Sequence, residues 1–138
     1  MLIHSSTKAV FAAVTDAKKL TRWFPDKAAL SPHKGGSYAF EWIDGPTHTG
    51  KVLEFSPGRS VTLTWQWPGK ERLGLTKLKI SVDRKAGAAL LRFTHSGFGT
   101  GRVWSELYEG AIRGWTYYMM NLKSVLETGR DLRSPEDW

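Results

Sequence analysis

Apolar and polar residues alternate with a period of two through the middle of the chain. The alternating segments are Ser37–Ile43, Ser60–Trp67, Leu75–Asp83 and Ala88–His95. A further strand is predicted over Thr49–Phe55, after the hairpin signal Asp44-Gly45, and the sequence leaves open which of its faces is packed. Short turn sequences separate the strands. A period of two places apolar side chains on one face of a strand and polar side chains on the other. The pattern therefore predicts an antiparallel meander with one packed face and one solvated face.

Both ends of the chain carry helical periodicity instead. Capping residues precede a short predicted helix over Lys8–Val14 and a second over Ala17–Trp23. From Val103 to Glu127, apolar residues recur at helical spacing for about seven turns. Gly110 and Gly114 lie four residues apart in this helix, so we expect a bare stripe that a strand or loop can approach closely.

These elements predict one architecture. A single long helix covers an amphipathic sheet of this size only if the sheet curls around it. We therefore expect an α+β fold, in which a curved antiparallel sheet wraps around the long C-terminal helix. Two short helices follow a first strand at Met1–His4 and close one end. A length of 138 residues fits a single domain spanning 1–138.

Large aromatic rings face the space that such a sheet encloses. The chain contains seven tryptophans, and rings of this size around one helix pack poorly without leaving voids. We therefore favour a partly open pocket, with a solid aromatic core as the alternative. The residues assigned to the pocket are Tyr38, Phe40, Trp42, Trp65, Trp67, Phe93, His95, Phe98, Trp115, Tyr118, Met119 and Leu122.

His95 has three interpretations, because it shares the inward strand face with Leu91 and Phe93. It is a core histidine bonded to protein groups, a polar group that orients a ligand, or a general acid or base. The last is the weakest, since no second catalytic group is visible. Phe98 lies in a glycine-rich loop and is predicted to act as a lid. Asn121 is expected at the helix surface or the cavity rim.

Composition and motif context exclude several chemistries. The absence of cysteine excludes disulfides, thiolate catalysis and zinc–sulfur sites. The four histidines show no metal-ligand spacing, so we expect neither a metal nor a cofactor. The stretch 45–51 matches the start of a phosphate-binding loop, but Val52 replaces the magnesium-binding hydroxyl and the chain continues as a strand. We interpret this stretch as a hairpin.

The charge and hydropathy of the chain disfavour two classes of partner, nucleic acids and membranes. The net charge of +7 is spread along the chain, and its densest basic runs are the pairs Lys18-Lys19 and Arg84-Lys85, which disfavours nucleic-acid binding. No apolar stretch reaches the length of a membrane span, and the N-terminus lacks the pattern of a secretory signal. We therefore expect a cytoplasmic location.

The order of motifs resembles a known family. The segments that carry the resemblance are 10–16, 20–24, 35–42, 50–54, 63–65, 93–98, 114–115 and 122–131. The chain resembles the START-like (SRPBCC) superfamily and, more narrowly, the activator-of-Hsp90-ATPase homologue domain. This resemblance implies a helix-grip fold and a cavity for lipids, polyketides or other hydrophobic molecules. The family's first strand is usually longer than Met1–His4, and ATPase activation is not expected of a chain without the co-chaperone's separate N-terminal domain.

Three functions follow from these observations. The leading hypothesis is a carrier or sensor, with a stress-related role among the options, for a hydrophobic, aromatic-containing small molecule held between sheet and helix. The second is a cyclase- or hydrolase-type enzyme that uses the same cavity and depends on His95. The third is a chaperone-linked interaction module that works through its exterior. A non-catalytic role is favoured.

Overall fold

The computed structural model describes residues 1–133. Its strands are β1 (Leu2–Ile3), β2 (Lys27–Leu30), β3 (Ser37–Glu41), β4 (Thr47–Ser56), β5 (Ser60–Trp65), β6 (Thr76–Lys85) and β7 (Ala88–Ser96). Its helices are α1 (Thr7–Thr15), α2 (Ala17–Leu20) and α3 (Arg102–Thr128), with one 3-10 turn at Glu71–Leu73. The sequence also indicates a polar tail over residues 130–138, of which residues 134–138 lie outside the described residues.

All the strands belong to one antiparallel sheet with the order β1-β7-β6-β5-β4-β3-β2. The sheet curves around α3, and α1 and α2 lie between β1 and β2 in the chain. The predicted α+β helix-grip fold is thus confirmed. Strand β2 was missed, because its four residues are too short to show a clear period of two. It pairs along its whole length with β3.

Local bonding explains where the short helices begin and end. The Ser6 hydroxyl accepts the N–H of Ala9 at the start of α1, and the Asp16 carboxylate accepts the N–H of Lys19 at the start of α2. Both caps satisfy donors that have no partner within their helix. Helix α2 ends at Leu20 rather than at the predicted Trp23, since the chain turns there to bury Trp23.

The two halves of α3 lie in different environments. Asn121 and Leu122, in the C-terminal half, are fully buried. The segment of α3 from Arg102 to Met120 contains no buried side chain. The core lies beneath the C-terminal half, together with Val10, Val61 and other apolar residues of α1 and the sheet. The concave face of the sheet beneath the N-terminal half is therefore only partly covered.

Asn121 is a correction to the sequence prediction, because it is fully buried rather than on the surface. Its amide N–H groups donate to the carbonyl oxygen of Trp23 at 2.9 Å and to the carboxylate of Asp131 at 3.0 Å. Its amide oxygen accepts the N–H of Leu132 at 2.7 Å. Arg133 bonds Asp131 and three carbonyls of the 21–25 segment. These hydrogen bonds hold the segment after α3 against residues 21–25, which follow α2.

Candidate functional site

A cavity of about 690 Å³ lies between the N-terminal half of α3 and the sheet. We call it the aromatic cavity, because its ring-bearing walls are Phe24, Trp42, Trp65, Trp67, Trp115 and Tyr118. The rings touch one another in edge and tilted geometry, as Phe24 does with Trp42 at 5.2 Å and with Tyr118 at 4.8 Å. Such contacts hold the rings in place without filling the space between them.

Gly110 and Gly114 form part of the cavity wall on α3. A Cβ atom placed on either glycine would meet no heavy atom within 4 Å. The expected close approach of a strand or loop to this stripe is therefore wrong. The missing side chains instead widen the space between helix and sheet.

A second cavity of about 440 Å³ lies next to the first along α3, and we call it the side cavity. Its walls include Phe93, His95, Phe98, Trp115, Met119 and Tyr108. Trp115 and Ala111 line both cavities. The Trp115 indole therefore separates the two spaces.

The twelve residues assigned to one pocket fall into three groups. Trp42, Trp65, Trp67, Trp115 and Tyr118 line the aromatic cavity. The side cavity has Phe93, His95, Phe98, Met119 and, again, Trp115 in its walls. Tyr38, Phe40 and Leu122 lie in the core and line neither cavity.

The core position of Tyr38 and Phe40 has a local cause. The Phe24 ring packs edge-on against Phe40 at 5.4 Å and covers it from the cavity side. The Tyr38 hydroxyl donates to the carbonyl oxygen of Thr64 at 2.5 Å, which turns this side chain toward β5. Phe24 was not assigned to the site from the sequence. It lines the aromatic cavity in place of Tyr38 and Phe40.

His95 is the centre of a hydrogen-bond relay. The indole N–H of Trp115 donates to His95 Nδ1 at 3.1 Å, and His95 Nε2 lies 2.7 Å from the hydroxyl of Thr76. That hydroxyl donates in turn to the carbonyl oxygen of Trp65 at 2.9 Å. Since the Thr76 proton is used on Trp65, Nε2 must carry the hydrogen and Nδ1 must be the acceptor.

The relay uses both ring nitrogens of His95 in the neutral form. Burial lowers the pKa of His95 from its usual value to about 4. A proton added at Nδ1 would face the indole N–H of Trp115, so the relay also opposes the charged form. This geometry matches the interpretation of His95 as a histidine bonded to protein groups and leaves it no lone pair for acid–base chemistry.

His48 is a cavity residue that sequence reasoning missed. Its side chain lines the aromatic cavity and is only 7% exposed. Nδ1–H donates to the carbonyl oxygen of Gln66 at 3.1 Å, and the ring stacks on Trp65 at 4.2 Å. Burial lowers its pKa. The sequence prediction began this strand at Thr49, so it left His48 outside the strand. Strand β4 begins at Thr47, which places His48 on the same inward face as Val52.

The second nitrogen of His48 has no partner within residues 1–133. No buried side-chain nitrogen or oxygen in that part of the chain lacks a hydrogen bond, so Nε2 keeps accessible surface. Because the ring lines the aromatic cavity, this surface opens into it. Nε2 is therefore a hydrogen-bond acceptor within an apolar space.

Tyr118 adds a donor to the same wall. Its hydroxyl oxygen accepts the indole N–H of Trp42 at 3.0 Å. Among the described residues no acceptor takes the hydroxyl proton, which is free to bond a guest. Burial raises the pKa of Tyr118, so the hydroxyl remains protonated.

The glycine-rich loop before α3 places Phe98 over the side cavity. Its ring lies 4.5 Å from His95 and 5.2 Å from Tyr108. Gly97 and Gly101 flank it with φ values of 94° and 102°, which favour glycine. The structure thus puts Phe98 at the side cavity; the lid role stays a prediction.

Residues 1–133 contain no group of three metal-ligating side chains. No helix within them is long and apolar enough to cross a membrane.

Comparison with known proteins gives a family match over nearly the whole chain. The family model for activator of Hsp90 ATPase homolog 1-like protein matches residues 4–127. No curated protein matches the chain.

Three solved structures illustrate the likeness of fold. The Aha1 dimer from Colwellia psychrerythraea is 20% identical, with a TM-score of 0.81 and 94% of each chain covered. An AHSA1-like protein from Rhizobium etli is 27% identical, with a TM-score of 0.69 over 93% of this chain and 79% of that one. DynU16, a protein in the dynemicin biosynthetic locus, is 21% identical, with a TM-score of 0.76 over 95% of this chain and 46% of that one.

Proposed function

The chain belongs to the activator of Hsp90 ATPase homolog 1-like family, and we propose that this member binds a hydrophobic, aromatic-containing small molecule. The site is the aromatic cavity, and the role is that of a cytoplasmic carrier or sensor. One observation carries the proposal: a space of about 690 Å³ has six large aromatic side chains in its walls. Ligand pockets commonly have volumes of about 300–1,000 Å³ and a few well-placed polar groups.

The shape of α3 supports this proposal. Its N-terminal half has no buried side chain, and Gly110 and Gly114 leave open space where larger residues would close the gap. A ligand that covers these walls would recover about 25 cal/mol per Å² of apolar surface, before the costs of binding.

The geometry of His95 does not favour the enzymatic alternative. That alternative depends on His95, and both nitrogens of its ring are bonded to protein groups. A protein of this fold in the dynemicin biosynthetic locus supports a small-molecule ligand, whether or not chemistry follows binding.

A chaperone-linked interaction module is the second candidate. One observation favours it: Tyr108, Ile112 and Met120 of α3 are each at least half exposed. Exposed apolar side chains on one helix suit a protein partner. A titration with a purified Hsp90-class chaperone tests this candidate, which the absence of binding at micromolar concentration would contradict.

A cavity-filling variant tests the leading proposal. In Gly114→Leu the new side chain leans toward the preceding turn and lies over Gly110, where no side chain stands in its way. Leucine also favours a helix more than glycine does, so the fold is kept. The control is Arg113→Leu, which adds the same side chain at a neighbouring position that lines neither cavity.

Calorimetric titration with 1-naphthylmethanol gives the readout, because this probe is aromatic, neutral and small enough for the cavity. We expect saturable binding to the wild type and to Arg113→Leu, and a loss of at least about tenfold in affinity for Gly114→Leu. Equal binding by all three proteins would place the probe elsewhere and contradict the proposal.

A further inference from the structure

The charged residues that line the aromatic cavity are all acidic. They are Asp26, Asp44 and Glu106, and no lysine or arginine joins them. This is the reverse of the whole chain, which has 20 basic and 13 acidic residues. The lining therefore has its own electrostatic character, opposite to that of the protein as a whole.

Two of these carboxylates belong to exposed residues and have no ion-pair partner among the described residues. Within residues 1–133, neither Asp26 nor Asp44 forms a salt bridge; Asp26 accepts only the backbone N–H of Ile43, at 2.8 Å. Glu106 is paired with Arg102 at 3.1 Å. The guanidinium of Arg133 lies close enough to influence Asp26, but it is bound to Asp131 at 2.8 Å.

Of the two polar groups in the cavity wall, the Tyr118 hydroxyl offers a donor, whereas the His48 ring favours the same kind of guest as the carboxylates. His48 is more than nine-tenths buried, and its Nε2 opens into the cavity without a partner among the described residues. Because Nδ1 carries the ring hydrogen, Nε2 can only accept a hydrogen bond. A guest that presents an N–H or O–H there satisfies it, whereas a carboxylate does not.

The faces of the surrounding rings favour positive charge as well. Tryptophan and tyrosine faces attract cations through their quadrupole, and Trp42, Trp65 and Tyr118 all line the space. The carboxylates and the ring faces favour a cation, and the acceptor nitrogen of His48 favours a guest that carries an N–H or O–H group.

We propose that the aromatic cavity selects ligands that carry a protonated amine on an aromatic frame, over neutral or anionic ligands of the same shape. This inference rests on the proposed function, since it names the ligand class of that same cavity. The ammonium group lies among the Asp26 and Asp44 carboxylates and the ring faces, and the aromatic frame fills the apolar space.

The net charge of the protein makes this selectivity diagnostic. A molecule of charge +7 attracts anions at long range and repels cations. Binding governed by overall charge would therefore favour an anionic probe. A preference for the cation has to come from the cavity itself.

Three naphthalene probes separate the outcomes in calorimetric titrations near neutral pH. They are 1-naphthylmethylamine, which is a cation, 1-naphthylmethanol, which is neutral, and 1-naphthoate, which is an anion. We expect the amine to bind about tenfold more tightly than the alcohol, and the naphthoate to bind most weakly. Naphthoate binding as tight as that of the amine would overturn the inference.

Paired variants assign the preference to the two carboxylates. Asp26→Asn combined with Asp44→Asn removes both charges, and the new amide oxygen keeps the bond to the Ile43 N–H. The control, Asp83→Asn combined with Glu54→Gln, removes the same charge at positions that line neither cavity.

We expect the first pair to weaken amine binding by about threefold to tenfold and to leave alcohol binding unchanged. We expect the control pair to change neither. If the alcohol binds and the amine gains nothing over it, the inference fails and the proposed function stands. If none of the three probes binds, both fail.

Discussion

The relay through His95 makes stability depend on pH in a defined window. Burial holds the pKa of His95 at about 4 in the folded protein, whereas the unfolded chain has the ordinary value near 6.5. Between these values the unfolded state binds a proton that the folded state does not. The contribution of neutral His95 to the free energy of unfolding is therefore complete above pH 6.5 and is lost as the pH falls toward 4.

The size of the effect follows from the two pKa values. Between pH 7.5 and pH 5, a shift of this size would lower the free energy of unfolding by about 2 kcal/mol. The ring is only half-buried, so solvent screening reduces this figure, and we expect about 1 kcal/mol.

The assay is urea denaturation of the wild type and of His95→Gln at both pH values. The glutamine side chain has an amide that can bond Thr76 or Trp115 but does not titrate. Because these hydrogen bonds are altered, we expect the free energy of unfolding of the variant to be lower by about 1–2 kcal/mol at pH 7.5. Other groups, such as His48, titrate equally in both proteins and cancel from the difference.

The stability gap between wild type and variant should shrink by about 1 kcal/mol on going from pH 7.5 to pH 5. A direct NMR titration of the His95 ring should give a pKa of about 4. A gap that stays constant, or a ring pKa at the ordinary value, would refute the relay as described.

Three further substitutions have distinct expected results in the same denaturation assay. Gly50→Ala should lose about 1–3 kcal/mol, since its Cβ would collide with the Tyr38 ring and Thr64; unchanged stability would contradict that packing. Gly114→Ala should gain up to about 1 kcal/mol, because the Cβ meets open space within a helix, and a loss would show that the site is filled. Asn121→Ala should lose about 2–4 kcal/mol, since three buried bonds vanish, and a loss below about 1 kcal/mol would contradict its role in holding the segment after α3.

The fold was predictable because its long elements carry clear periods. The alternation predicted over Ser60–Trp67 and the helical spacing predicted over Val103–Glu127 each have one dominant period, and the structure has β5 at Ser60–Trp65 and α3 at Arg102–Thr128. Strand β2 has only four residues and pairs at the sheet edge, so its sequence alone leaves it indistinct. Boundaries were harder still, because the position where β4 begins depends on pairing with β3.

The division of the site into two cavities was not predictable. The sequence shows which residues point inward but not how far α3 stands from the sheet. That distance depends on Leu122 and Asn121 packing at one end of the helix while Gly110 and Gly114 leave the other end open. Trp115 then becomes a wall between two spaces, which no local pattern could indicate.

Ligand binding in the aromatic cavity is tested most directly by a ¹⁵N-correlated NMR titration of the indole N–H signals with 1-naphthylmethanol. We expect saturable shifts for Trp42, Trp65 and Trp115, which line the aromatic cavity. We expect no shift for Trp23, whose buried indole donates to the Ala13 carbonyl at 2.8 Å and lines neither cavity. Absence of saturable shifts at the cavity indoles, or shifts as large at Trp23, would contradict binding in the aromatic cavity.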